Sequence, residues 1–205
     1  SEKIIVLFCY SRSGGTLLSQ LLNSNKNVFL LSEIGAEISV SIEHKIMPSC
    51  DVIKEQLNKW HNLKVIGESI NEIINSIYND ESFEKKIIFR DWSVINFNPS
   101  KFNDYSPPYK MELLKHLEIK YDVQKIALIR DSIDVCLSMN ADPEEFSYYY
   151  NLYLEALDKM DIKIYKYEDL VSNTNLFLNK LSEDLGIENN FDLKNYKIYP
   201  ATGDN

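Results

Sequence analysis

The feature that most constrains this chain is an alternation. Short apolar, β-branched runs are separated by longer stretches of helical period, the pattern of βαβ units around a mainly parallel sheet. Runs at 4–9, 28–31, 87–89, 126–129 and 162–167 read as strands. Helical patterns occupy "TLLSQLLNS", the region from about 34 to 77, "MELLKHLEIKY", "SIDVCLSMN", "PEEFSYYYNLYLEALDKM" and "NLFLNKLSEDLG", the last with Gly186 as its C-terminal cap. The expected fold is α/β, a mainly parallel sheet flanked by helices. The 205 residues suit one domain spanning 1–205, with no repeat, low-complexity tract or linker to divide them.

Composition excludes several function classes. No apolar run approaches the roughly 20 residues of a bilayer span, and the N-terminal run lacks the basic flank and cleavage site of a signal peptide. Cys9, Cys50 and Cys136 are scattered without a CxxC pair, so neither a disulfide framework nor a zinc site is expected. With no Asn-x-Ser/Thr acceptor of permitted middle residue, this favours a reducing, cytoplasmic setting. His44, His61 and His116 lie on separate segments, so no metal is expected. A net charge of −9 argues against nucleic acid or an anionic membrane as partner. It leaves room for a small anion held by a few placed cations.

The arginines point to such a site. Of 22 basic residues only Arg12, Arg90 and Arg130 are arginine, and each follows an apolar run: "IIVLFCYSR", "KIIFR", "KIALIR". In open parallel sheets the ligand crevice lies outside the carboxyl ends of the strands. Three strands then deliver three guanidinium groups to one edge, and guanidinium suits forked recognition of phosphate or sulfate. The alternative is pairing of each with a nearby carboxylate, Asp91 and Asp131 being adjacent.

Between the first strand and first helix lies "YSRSGGTL". Gly14 and Gly15 let the backbone approach a ligand closely. The unpaired N–H groups of the helix start, with its dipole, attract an anion. Ser13 and Thr16 add hydroxyls and Arg12 a charge. The Walker pattern GxxxxGK[ST] is absent, which disfavours a plain ATP or GTP hydrolase.

"YSRSGGTLLSQLL" resembles the 5′-phosphosulfate loop of the PAPS-dependent sulfotransferases (PAPS, 3′-phosphoadenosine-5′-phosphosulfate), usually written PRSGTTLL or PKSGTTW. "IALIRDSIDVCLSM" resembles their 3′-phosphate element, and "YKYEDLVSN" a later Tyr-Glu-Asp-Leu segment. The three occur in the family's order and span most of the chain. The resemblance implies a P-loop-kinase-like α/β fold and PAPS as co-substrate without a metal. It assigns Arg12, Ser13, Gly14, Gly15, Thr16 and Leu17 to the 5′-phosphosulfate. Arg130 and Ser138 fall to the 3′-phosphate, and Tyr167 to the vicinity of the adenine. Ser11 stands where the family has Pro, and Gly15 where it has Thr or Ser. The family's late basic segment is missing before "YPATGDN", which implies either a chain cut short or weaker nucleotide binding.

Sulfuryl transfer relies on positioning and charge stabilisation, for which Arg12 and Arg90 are the cations expected. The acceptor also needs a base. The His that many cytosolic members use is replaced by Trp92. The Glu that the tyrosyl-protein sulfotransferases use falls, by ungapped counting, on Glu33, the first choice for base, with Asp91 second. The stretch "NFNPSKFNDYSPPY" is long enough for a binding loop over the acceptor side. Two other functions stay open on sequence alone: a phosphotransferase of related fold, and a non-catalytic PAP- or PAPS-binding member. The acceptor is not legible.

Overall fold

The computed structural model describes residues 3–79, 84–99 and 106–202, without the side chain of Lys3. Its central strand, β1 (Lys3–Cys9), is the first apolar run. Ile4, Ile5, Val6, Leu7 and Phe8 are all fully buried, because a parallel sheet covered on both faces tolerates no polar alternation. Around it lie β2 (Val28–Ile34), β5 (Lys86–Asp91), β6 (Asp122–Ile129) and β7 (Lys163–Lys166) in the order β2-β5-β1-β6-β7. All neighbours pair parallel, as expected for the α/β class.

Successive residues of β1 point to opposite faces, and two cores result. Ile4, Val6, Phe8 and Tyr10 face helices α2 (Ser49–His61), α3 (Ile70–Tyr78), α4 (Ser93–Phe97), α5 (Glu112–Glu118) and α7 (Pro143–Asp158). Ile5, Leu7 and Cys9 face α1 (Gly15–Asn23), α8 (Tyr167–Ser172) and α9 (Thr174–Leu185). Helix α6 (Ser132–Met139) is anchored to the first core by Val135 alone of its buried residues. The aromatic run at 148–153 divides as helical packing requires: Tyr150 and Tyr153 are buried beside Tyr10, and Tyr148 is exposed.

Two expectations need correction. The region 34–77 is not helical throughout: β2 extends to Ile34, and a short antiparallel hairpin, β3 (Ile38–Val40) and β4 (Ile46–Pro48), precedes α2. Three-residue strands are too short for a readable alternation. Tyr167 does not end the last strand but opens α8. Gly186 does cap α9, with φ of 62°. Of the proposed binding loop 96–109, residues 100–105 lie outside the described residues, and 96–97 complete α4.

The chain passes from β1 outward to β2, returns through β5 beside β1, and then crosses to β6 on the other side. That reversal opens a crevice beyond the carboxyl ends of β5, β1 and β6. All three arginines follow or end these strands.

Candidate active site

A cavity of about 460 Å³ lies at this reversal. Its walls include Arg12, Gly14, Gly15, Thr16, Leu17, Glu33, Arg90, Arg130, Ser138 and Tyr167. Two residues named from sequence do not line it. Ser13 is fully buried, and Asp91 lies on the other face of the sheet. Arg90 sits opposite Leu7 and Asp91 opposite Phe8, so consecutive residues of β5 serve different cores.

The floor is the turn from β1 into α1. Gly14 precedes α1 in the left-handed region, φ 89°, and no side chain caps the helix. The first N–H groups of α1 are therefore available to an anion. Both glycines are required by close approach. A Cβ on Gly14 would stand 2.2 Å from Cδ2 of Tyr167, and one on Gly15 would stand 2.9 Å from Cζ of Arg90. The departure at Gly15 thus has a physical reason: Arg90 takes the space a larger residue would need.

Arg90 is buried, its side chain only 7% exposed. Its Nη1 donates to Thr202 O (3.0 Å), Ser32 Oγ (3.1 Å) and Ser19 Oγ (3.4 Å), while Nη2 donates to Glu33 Oε1 (3.3 Å). Its carboxylate partner is therefore Glu33, not adjacent Asp91. Glu33 reaches the cavity because β2 is irregular there: pairing with β5 shifts between Leu31 and Ile34, and Glu33 takes φ of 56°. A bulge of this kind re-aims a side chain. Arg12 (φ 64°) and His44 (φ 61°) are likewise in the left-handed region and line the same cavity. Non-glycine residues rarely adopt it, and they cluster at functional sites.

On the opposite side, Arg12 Nε donates to Ser138 Oγ (2.9 Å), tying the loop to α6. Arg130 donates to Arg12 O (3.3 Å) and Asp134 Oδ2 (3.3 Å) and lies over the Tyr167 ring, 4.7 Å from its centroid. Asp131 is not its partner; its carboxylate caps α6 by accepting from the Ile133 and Asp134 amides.

Asp91 accepts from Ser93 Oγ (2.7 Å), and burial pushes its carboxyl up to about 7. Among the described residues no three His, Cys, Asp or Glu side chains are placed to hold a metal ion, and no helix is long and apolar enough to cross a membrane.

Sequence reasoning missed the far wall. Val40, His44 and Ile46 come from the β3–β4 hairpin, and they line the cavity together with Trp92, the residue standing in place of a His base, just after β5. A turn of the form Ser-Ile-Glu-His-Lys between Ile-Ser-Val and Ile-Met-Pro was the available hint. It missed Thr202 entirely.

No protein-family model and no curated protein sequence matches the chain. Solved structures do. A sulfotransferase from Alicyclobacillus acidocaldarius aligns over 93% of this chain and 83% of its own, with a TM-score of 0.51 and 10% identity. The sulfotransferase domain of the curacin biosynthetic pathway covers 100% of this chain and 79% of itself, with a TM-score of 0.57 and 14% identity. The sulfotransferase domain of the Synechococcus PCC 7002 olefin synthase covers 99% and 78%, with a TM-score of 0.58 and 17% identity. The α/β architecture built above, a five-stranded parallel sheet between two helical layers, is the fold of the sulfotransferases.

Proposed function

We propose that the chain moves a sulfuryl group from PAPS to a hydroxyl or amine acceptor and releases PAP. One observation carries this reading: three arginines, an uncapped glycine loop and one carboxylate converge on a single cavity. The residues present fit a sulfonucleotide. Among the described residues, Nε of Arg90 and Nε of Arg130 are buried donors without a hydrogen-bond partner, and buried donors are ordinarily paired. The cavity is within the usual size range of small-molecule sites.

PAPS, when bound, supplies the sulfuryl group and a nucleotide bisphosphate as leaving group. The N–H groups of Gly15, Thr16 and Leu17, with Arg12, hold its 5′ end. Arg130 and Ser138 hold the 3′-phosphate, and Tyr167 stands beside the adenine. Glu33 accepts the proton of the acceptor hydroxyl as the oxygen–sulfur bond forms. Arg90 stabilises the charge that grows on the departing phosphate oxygen as the sulfur–oxygen bond breaks. Its guanidinium is already held in place, and fixed charge needs no reorganisation during reaction. Of the two carboxylates considered as base, Glu33 lines the cavity and Asp91 does not.

The test is calorimetric titration of PAP, without magnesium, into the wild type and Arg130→Ala, followed by transfer from labelled PAPS to an acceptor panel. Binding that Arg130→Ala weakens at least about tenfold, with transfer abolished in Glu33→Gln, is the expected result. A folded wild type that binds no PAP, or that turns over ATP with magnesium instead, overturns the proposal.

A further inference from the structure

The segment after α9 returns to the site along the outside of α1. A short 3-10 turn, Tyr196–Ile198, begins this tail, and three side chains of α1 donate to tail carbonyls: Gln20 to Lys197 (3.4 Å), Asn23 to Pro200 (2.7 Å) and Thr16 to Thr202 (3.2 Å). Positions 16, 20 and 23 share one helix face. The last described residue of the tail is buried: Thr202 is 5% exposed and contacts the core of the site through every polar group it has. Its carbonyl accepts from Arg90 Nη1 (3.0 Å) and from Thr16 Oγ1. Its amide and hydroxyl both donate to Ser32 Oγ, at 3.4 and 2.7 Å. Ser32 Oγ in turn accepts from Arg90 Nη1.

We infer that Thr202 is a positioning residue for sulfuryl transfer: the tail straps the Arg90 guanidinium to α1 and β2 so that its remaining edge is held toward the cavity. This rests on the function proposed above. Three acceptors, Ser19, Ser32 and Thr202, take up the Nη1 corner, while Nη2 meets Glu33 at the cavity wall. Thr202 is not among the residues that line the cavity; it stands behind the guanidinium rather than in the donor's place. Among the described residues it is also the one contact of the Nη1 corner that comes from outside the sheet and α1. Without it, Ser32 loses the two donors that orient its hydroxyl, and the guanidinium is free to swing about its remaining bonds. A misplacement of about 1 Å at a reacting centre can cost about 100-fold in rate.

Three arginines in the whole chain make the strap measurable without catalysis. An arginine-selective nitrogen–proton spectrum has one Nε–H signal per arginine, and that of Arg90 is identified by its loss in Arg90→Lys. In the wild type it should exchange slowly with water. Thr202→Val removes the hydroxyl while keeping the side-chain outline. We expect it to speed Arg90 Nε–H exchange and lower kcat, each by about tenfold, well short of the full misplacement cost, with PAP affinity unchanged. Thr202→Ser, which restores the hydroxyl, should return both to wild-type values. Exchange and kcat that stay at wild-type values in Thr202→Val, or a loss that Thr202→Ser does not restore, overturn the inference. A wild type that binds no PAP overturns the proposed function and Thr202's part in transfer with it; the exchange measurement still reports whether the strap holds Arg90.

Discussion

Arg90 and Arg130 flank β1 on its two sides, one ending β5 and the other following β6, yet they are held in opposite ways. Arg90 is fixed by groups from α1, β2 and the tail and is almost out of reach of water. The Arg130 side chain is 24% exposed and bonds to an α6 carboxylate one turn away and to one loop carbonyl. The difference assigns them different work. A charge fixed before the ligand arrives can act on a developing transition state without reorganising. One resting on a half-exposed surface pair exchanges that weak contact for a phosphate. The fold has made the first a keystone and left the second available.

The widest separation between them is in stability. Arg90→Ala leaves the partly buried Glu33 carboxylate and the buried Ser19 hydroxyl without their donor and takes one of three donors from Ser32. Breaking a buried pair from one side costs about 3–5 kcal/mol. In a chain of 205 residues that is a fall in Tm of roughly 10 °C. Arg90→Lys keeps the charge without the fork and should recover only part of the loss. Arg130→Ala removes a part-exposed i,i+4 pair, one loop hydrogen bond and the contact with the Tyr167 ring, and should change stability by about 1 kcal/mol or less. Urea unfolding of the three variants checks this, and equal losses at the two arginines would break the comparison.

The adjacent glycines probe the two halves next, because each touches a different arginine's surroundings. At Gly15 a methyl group would press on Cζ, Nε and Nη2 of Arg90, which cannot yield cheaply while its other nitrogen is anchored. We expect Gly15→Ala to cost about 1–3 kcal/mol and to lower kcat. At Gly14 the methyl would strike the Tyr167 ring, over which Arg130 lies, and would occupy a left-handed residue. That strain adds about 1–2 kcal/mol, and the functional loss should appear in PAP affinity rather than kcat. The same effect on both parameters in both variants would merge the two halves into one unit.

Ligand binding separates the arginines the other way. Arg130→Ala, mild in stability, should weaken PAP binding at least tenfold, about 1.4 kcal/mol. A calorimetric titration in which it binds as the wild type does would remove Arg130 from the site.

These contrasts also mark how far the sequence was legible. The arginines and the glycine loop could be read because a parallel sheet sends strand ends to one edge, a property of the chain's local pattern. Glu33 was placed by counting along a family resemblance; its actual route to the cavity, a bulge with φ of 56°, leaves no trace in the side-chain alternation. The hairpin that brings Val40, His44 and Ile46 was hidden by the brevity of its strands. Thr202 meets Thr16 across 186 residues and Ser32 across 170, and no local rule reaches that far. Asp91 was drawn toward the site by its adjacency to Arg90, although the two-residue period of a strand sends neighbours to opposite faces.

That last point yields the smallest expected effect and a direct check on Arg90's true partner. Burial pushes the Asp91 carboxyl from 3.8 up to about 7, the Ser93 hydrogen bond opposing it only in part. Burial also pushes the His61 imidazole from 6.5 down to about 4, against the hydrogen bond to the Leu30 carbonyl. From about pH 4 to 6.5, the native chain therefore holds more proton on Asp91 than the unfolded chain does, and less on His61. Stability falls with rising pH on the first account and rises on the second. The two oppose each other, so the wild-type profile should be nearly flat to pH 6.5 and then decline slightly to about pH 7. Asp91→Asn keeps the shape and removes one of the two, so its stability should climb from pH 4 to 6.5 and then level. Were Asp91 instead ion-paired with Arg90, its carboxyl would be depressed and already ionised in both states over most of this range, wild-type stability would climb from pH 4 to 6.5 on the account of His61, and Asp91→Asn would leave that slope nearly unchanged. Urea unfolding across the range distinguishes the two by whether the substitution turns a flat profile into a climbing one or leaves the slope as it was.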